Sequence, residues 1–228
     1  MAVRELTVVG KPFAGKDKDG DFKWMVKQKQ YEDTLFVIAE NYLDSIRDDF
    51  DEGAGTAVLR PLCPQRVLPG TVPRAVGVPT GWSVAAMGFP NMDTVFTKTA
   101  IDLSLDRIAV VLDEHPHFKR LVYSSDAKDP LMLGVKIFET TLDSRVRQYI
   151  SAEINNMANR VPQRTSLKAI RKQELKLLPH ALLVTESHNS KRLNSRKRSS
   201  PPPQPSQSLQ QEKRLKPLVT SAKRPFGR

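Results

Sequence analysis

Thr34-Leu-Phe-Val-Ile-Ala-Glu-Asn41 is a short run of β-forming residues that is apolar at successive positions rather than at every second one. A strand with one wet face alternates, so a continuous apolar run predicts a strand covered on both faces, in the middle of a parallel or mixed sheet. The run ends on polar Asn41, and an acidic stretch from Asp44 to Glu52 leads to Gly53-Ala54-Gly55-Thr56. A buried strand that delivers a glycine-rich turn is suited to holding phosphate, because glycine lets backbone N–H groups approach an anion and a helix starting there adds its positive end. The plainer alternative is a tight turn that only reverses the chain, and both readings are open at this stage.

The segments around this run complete an α/β pattern. Leu6–Val9 has strand character, Gly10–Asp21 is a loop rich in Gly, Lys and Asp, and Phe22–Val26 alternates as a second strand would. After Gly53–Arg60 a Pro-punctuated passage runs to Gly81. Asn91–Glu114 reads as the best-defined helix of the chain, capped by Asn91 or Asp93, with Ile101, Leu105, Ile108 and Leu112 on one face and Pro116 closing it. Phe118–Ser124 reads as another buried strand, followed by a loop with Asp126, Asp129, Pro130 and Gly134. Asp143–Met157 is amphipathic, with Val146, Tyr149, Ile150, Ile154 and Met157 together. The order predicts an α/β fold, a mixed sheet flanked by helices in three layers. In such sheets ligands sit beyond the carboxyl ends of strands, so the glycine loops after Asn41 and after Ser124 are expected to face one crevice.

Charge divides the chain sharply. Residues 1–157 hold 19 Lys+Arg and 22 Asp+Glu, a balance of −3, whereas residues 158–228 hold 17 and 3, a balance of +14. A domain over 1–157 is therefore expected to be followed by a basic helical extension over 158–185, with a short helix at Leu167–Leu178, and by a disordered Pro/Ser/Gln-rich tail over 186–228. The clusters Lys191-Arg192 and Arg196-Lys197-Arg198 resemble nuclear localisation signals, and the same charges suit nucleic acid or an import receptor. The start, MAVRELTVVGKPF, lacks the apolar run of a signal peptide, and no window approaches a membrane span. An intracellular protein away from membranes is expected, nuclear in a eukaryotic host.

From Thr34 to Met157 the sequence resembles the macro domain family, which binds ADP-ribose. The matching stretches are Ala39-Glu40-Asn41, then Gly53-Ala54-Gly55-Thr56, then Ser124 through Gly134-Val135-Lys136-Ile137-Phe138, with Ala75–Gly81 before the long helix. The family's triple glycine is Gly-Ala-Gly here, and Glu40 stands where the family has a small residue. The resemblance implies a macro-like three-layer α/β/α fold. It places Asn41 near the distal ribose, the two glycine loops on the diphosphate, and Phe138 beside a ribose, with weak hydrolysis of ADP-ribosyl bonds as an enzymatic variant.

Other chemistries have less behind them. His115 and His117 with Asp113 and Glu114 are ligand types, yet they end a helix, where histidine caps carbonyls, and no third ligand is at hand; no metal and no cofactor is assigned. Asp17-Lys-Asp19-Gly20-Asp21 lacks the distal glutamate of a calcium loop and reads as a solvated turn. Cys63 is the sole cysteine, so neither an internal disulfide nor a cysteine cluster is available. The competing class is a nucleic-acid-associated protein acting through its basic tail, the domain serving as a protein-interaction body.

Overall fold

The computed structural model describes residues 5–48, 52–53, 55–83, 87–134 and 142–199. Its five strands are β1 (Thr7–Pro12), β2 (Thr34–Asn41), β3 (Ala75–Ser83), β4 (Met87–Gly88) and β5 (Arg120–Ser125). They form one sheet in the order β1-β5-β2-β3-β4, with the first four parallel and β4 antiparallel to β3. The sheet is therefore mixed, and β2 lies in its middle.

Covered faces explain the continuous apolar run in β2. Leu35 and Val37 join one core, with Val76, Val78, Leu121 and Tyr123 of the neighbouring strands. Phe36 and Ile38 point the other way, into a second core with Ala75, Val122 and Cys63. The first core is closed by the helices α3 (Val95–Glu114), α4 (Ser144–Asn155) and α5 (Leu167–Ser199). The second is closed by the one-turn helix α1 (Phe22–Met25) and a 3-10 helix at Gly55–Leu62. Helical layers on both faces of the sheet make three layers, as expected.

Two expected elements differ. Phe22–Val26 is not a strand: Asp21 accepts the Lys23 amide at 2.8 Å and starts α1. The buried pair there is Phe22 and Met25, three apart as a helix requires, so the cap outweighs the apparent alternation. For α3 the cap is Thr94, whose hydroxyl accepts the Thr97 amide at 3.1 Å, in place of Asn91 or Asp93. The predicted stripe of Ile101, Leu105, Ile108 and Leu112 is fully buried. Among the described residues, no helix is long and apolar enough to cross a membrane.

Helix α5 is the larger surprise. Pro179 reads as a helix stop, yet the helix runs from Leu167 to Ser199 and passes beyond Glu186, into the stretch expected to be disordered. Pro179 and Leu175 are both exposed, so water can reach the carbonyl that proline leaves unpaired. Ile170, Glu174, Leu177 and Ala181 form a buried stripe at i, i+4, i+7 and i+11. Tyr42 donates its hydroxyl to the Glu174 carbonyl at 2.6 Å, and the Glu174 carboxylate pairs with Arg107 of α3. Before the helix starts, Arg160 and Arg164 each reach buried Asp106 at 3.0 Å. The extension expected at 158–185 thus packs into the same body as residues 5–157.

This packing sets the stability of the extension. Ile170→Ala should cost about 3 kcal/mol in chemical denaturation, as large-to-small changes in a core do. Removal of Lys191–Arg228, which begins at an exposed residue, should leave the melting temperature within about 1 °C of the parent, because surface changes of this kind stay near zero.

Candidate ligand site at the carboxyl edge of the sheet

The chain leaves neighbouring strands on opposite faces. The connection from β2 to β3 carries the 3-10 helix over one face, whereas the connection from β3 to β5 carries α3 over the other. In sheets of this topology ligands are taken beyond the carboxyl ends of the strands. Asn41 ends β2 and lies in register with Gly81 of β3. Ser124 and Ser125 end β5, which pairs with β2 on its other side. Of the candidate residues, Gly53, Gly55 and Thr56 follow β2 in the chain and Gly134 follows β5. Ala54, Val135, Lys136, Ile137 and Phe138 lie outside the described residues, so nothing further is said of those five.

The three candidate glycines Gly53, Gly55 and Gly134 are needed for different reasons. Gly55 sits at φ +62°, in the left-handed region, and a Cβ there would meet nothing within 4 Å. Its requirement is conformational, and open space lies in front of it. Gly53 has a close neighbour: a Cβ would come 2.5 Å from Ala57 Cβ and 3.1 Å from a guanidinium nitrogen of Arg60. Its amide is engaged, donating to the Ala57 carbonyl at 3.0 Å. At Gly134 a Cβ would lie 2.6 Å from the Ser125 carbonyl oxygen.

Asn41 is held as a helix cap. Its side-chain oxygen accepts the Asp44 amide at 2.9 Å and its NH2 donates to the Asp44 carboxylate at 2.7 Å, starting the one-turn helix α2 (Tyr42–Ser45). Thr56 and Ser124 are both buried. Ser124 accepts the Gly134 amide through its carbonyl at 2.9 Å, and the Ser125 hydroxyl is buried with no partner among the described residues.

The sequence reading missed the groups that brace this edge. Glu40 is 3 % exposed, and its carboxylate lies over Gly77 of β3, where a Cβ would fall 1.5 Å from one carboxylate oxygen. The other oxygen pairs with Arg60 at 3.1 Å, and Arg60 also reaches Asp44 at 3.0 Å. Arg66, likewise buried, donates to the backbone carbonyls of Arg60 and Asp44. Burial pushes the Glu40 carboxyl above its ordinary range, against the pull of Arg66 and Arg60. The same burial, with Glu40 nearby, pushes the Cys63 thiol up to about 12, which removes it as a nucleophile at neutral pH. A charged residue inside a run covered on both faces was the signal for this cluster, since such a group requires buried partners.

A second brace holds the loop after β5. It doubles back so that Asp126 donates its amide to Met132 and Ser125 bridges to Leu133. From α4, Arg147 reaches the Asp126 carboxylate and the Leu133 carbonyl, both at 2.6 Å, and Ser151 accepts the Leu133 amide at 2.9 Å. Tyr123 donates to the Pro130 carbonyl at 2.9 Å. The bound amide of Lys128 and the Arg147 guanidinium hold the Asp126 carboxyl below its usual range.

The remaining candidates lie elsewhere. His115 is the C-cap residue of α3, and His117 lies against Phe118 at 4.2 Å between ring centroids. Among the described residues no group of three or more His, Cys, Asp or Glu could hold a metal ion. Asp21 caps α1 and Asp19 pairs with Lys11 at 2.7 Å, so two carboxylates of the early acidic loop serve the fold. Two clefts formed by described residues, one at Val110, Asp113 and Pro162 and one at Glu5, Pro116 and Phe118, sit at the amino edge, away from the glycine turns. Lys191 is exposed on α5, and the side chains of Arg192, Arg196, Lys197 and Arg198 lie outside the description. In comparisons with known proteins, no family model, no curated protein and no solved structure matches this chain.

Gly77→Ala should destabilise the fold by about 2–4 kcal/mol, because the added methyl displaces Glu40 from buried Arg60. In a Glu40→Ala background the same substitution should cost under about 1 kcal/mol; equal costs in both backgrounds would show that the two positions do not interact.

The second brace should reveal itself in pH dependence. The Asp126 pKa is depressed in the fold, so its contribution is present above the unfolded value of about 4 and is lost as pH falls through the lower folded value. The melting-temperature gap between the parent and Asp126→Asn should therefore be open at pH 6 and closed by about pH 2.

Proposed function

We propose that this domain binds a phosphate-bearing nucleotide, ADP-ribose first among candidates, in the crevice at the carboxyl edge of β2 and β5. The supporting observation is the adjacency of those strands: β5 pairs with β2 as far as Tyr123 and Val37, with Gly53 and Gly55 following one strand and Gly134 following the other. Anion recognition at such an edge uses backbone N–H groups and the opening turn of the helix that comes next. Gly55, with open space before it, is the approach point for the diphosphate.

The braces serve the site indirectly. Glu40, Arg60 and Arg66 hold the exit of β2, and Asn41, both of whose amide atoms are spent on Asp44, fixes the strand end. The resemblance to macro domains over Ala39–Asn41, Gly53–Thr56 and Ser124–Phe138 favours ADP-ribose among nucleotides. Binding is the primary activity in this reading. Hydrolysis needs a carboxylate free to activate water, and at this edge Glu40 and Asp44 are each paired with Arg60.

Calorimetric titration of ADP-ribose into the full chain, with AMP and NAD as controls, tests this. Saturable binding with a Kd of about 1–100 µM is expected, equivalent to roughly 5–8 kcal/mol. Gly55→Glu should abolish it, because its carboxylate occupies the approach point and repels phosphate, while Gly55→Asn, a residue that tolerates the left-handed region, should retain the fold and most of the affinity. Unchanged binding in Gly55→Glu would sink the assignment.

A further inference from the structure

The arginines and lysines of residues 158–185 are used differently. Arg160 and Arg164 each reach buried Asp106 at 3.0 Å, and Arg171 reaches the Asp48 carboxylate at 3.0 Å, so these cations hold the extension to the body. Lys168, Lys172 and Lys176 are exposed on α5, and among the described residues no carboxylate pairs with any of them. Glu174 is the one acidic residue from 158 to 185, and it is buried against Arg107. Residues four apart are neighbours on a helix, so the three lysines form one row that advances about 6 Å per step, at about 1.5 Å per residue.

The next position in this row is His180. Its ring lies between two aromatic side chains, edge-on to buried Trp82 at 4.9 Å and stacked on Phe96 of α3 at 3.9 Å, with 9° between the planes. Phe22, Phe36, Phe89 and Phe118 are buried, whereas Phe96 is 43 % exposed. The stack therefore ends on a ring open to solvent, one helical turn beyond Lys176. Burial holds the His180 imidazole below its ordinary range, so at neutral pH it is uncharged and acts as a support for Phe96.

We propose that this surface binds single-stranded nucleic acid, with Lys168, Lys172 and Lys176 along the phosphodiester backbone and a base stacked on Phe96. Recognition of single strands without sequence preference combines a basic track with an aromatic ring, because the phosphates repeat and every base has a π face. The spacing of the row favours a single strand over a duplex. Phosphates in one strand of a duplex repeat about every 3.4 Å, closer than the lysines. An unstacked strand stretches to meet them and leaves its bases free for the ring. An acidic peptide would use the lysines but has no need of Phe96. The surface includes none of the residues assigned to the nucleotide site, so it stands independently of that reading.

Fluorescence anisotropy with the full chain tests this on three probes: a 12-nucleotide oligothymidylate, an abasic strand of the same length, and polyglutamate. Combining Lys168→Gln, Lys172→Gln and Lys176→Gln should weaken oligothymidylate binding and make its log–log salt slope shallower by about 2, at about 0.7 per phosphate contact. Phe96→Leu should weaken oligothymidylate about tenfold, as loss of one stacked base does, and leave the abasic strand and polyglutamate unchanged. Phe96→Tyr should restore the parental affinity, and circular dichroism checks the fold of each variant. An unchanged affinity and slope in the lysine variant overturns the inference, because cations elsewhere in the chain then carry the binding. An equal effect of Phe96→Leu on oligothymidylate and abasic strand, or no effect on either, also overturns it; the first makes Phe96 structural and the second leaves a surface for any polyanion, polyglutamate included.

Discussion

The carboxylate of Glu40 fills the space that Gly77 leaves on the neighbouring strand, and Arg60 and Arg66 close over it. The exit of β2 at the carboxyl edge depends on this arrangement. A charge buried between a sheet and its covering layer is costly unless it is paired, and breaking one partner leaves the rest unsatisfied. The pairing joins the end of β2, the 3-10 helix and the start of α2 in one unit, because Arg60 bonds both Glu40 and Asp44 while Arg66 ties the Asp44 backbone. The direction in which β2 leaves the sheet is set by that unit.

The loop after β5 is fixed by different means. Here the constraint comes from α4, where Arg147 and Ser151 take up backbone groups of Leu133, and from Tyr123 below. Gly134 comes next, at a point where any side chain would strike the Ser125 carbonyl. The segments that follow β2 and β5 are thus supported independently, one by a buried ion cluster and one by hydrogen bonds from a helix.

Helix α5 changes how the chain divides. Charge alone places the domain boundary near Met157, yet the buried stripe from Ile170 to Ala181 belongs to the main core. Glu174 shows why composition misleads here: one acidic side chain in a basic stretch finds Arg107 inside the domain and holds the helix there. The basic character belongs to the exposed side of the helix and to the residues after Thr185, while the packed side is apolar like any core helix.

Local residue chemistry was enough to read much of the fold. The unbroken apolar run at Thr34–Ala39 specified a doubly covered central strand, and the stripe of α3 was legible because burial imposes its period on the residues. The edge carrying the glycine turns could be placed from the alternation of strands and helices. Asp21 and Asn41 cap amides two and three residues on, a local device that the apparent alternation at Phe22–Val26 concealed. Tertiary structure alone decided the long-range pairings. The pairing of Glu40 with Arg60 joins positions 20 residues apart, and that of Arg107 with Glu174 joins positions 67 apart. Such partners leave no periodic trace in sequence, because a buried charge requires only that a counter-charge exist in space and not at any fixed spacing along the chain.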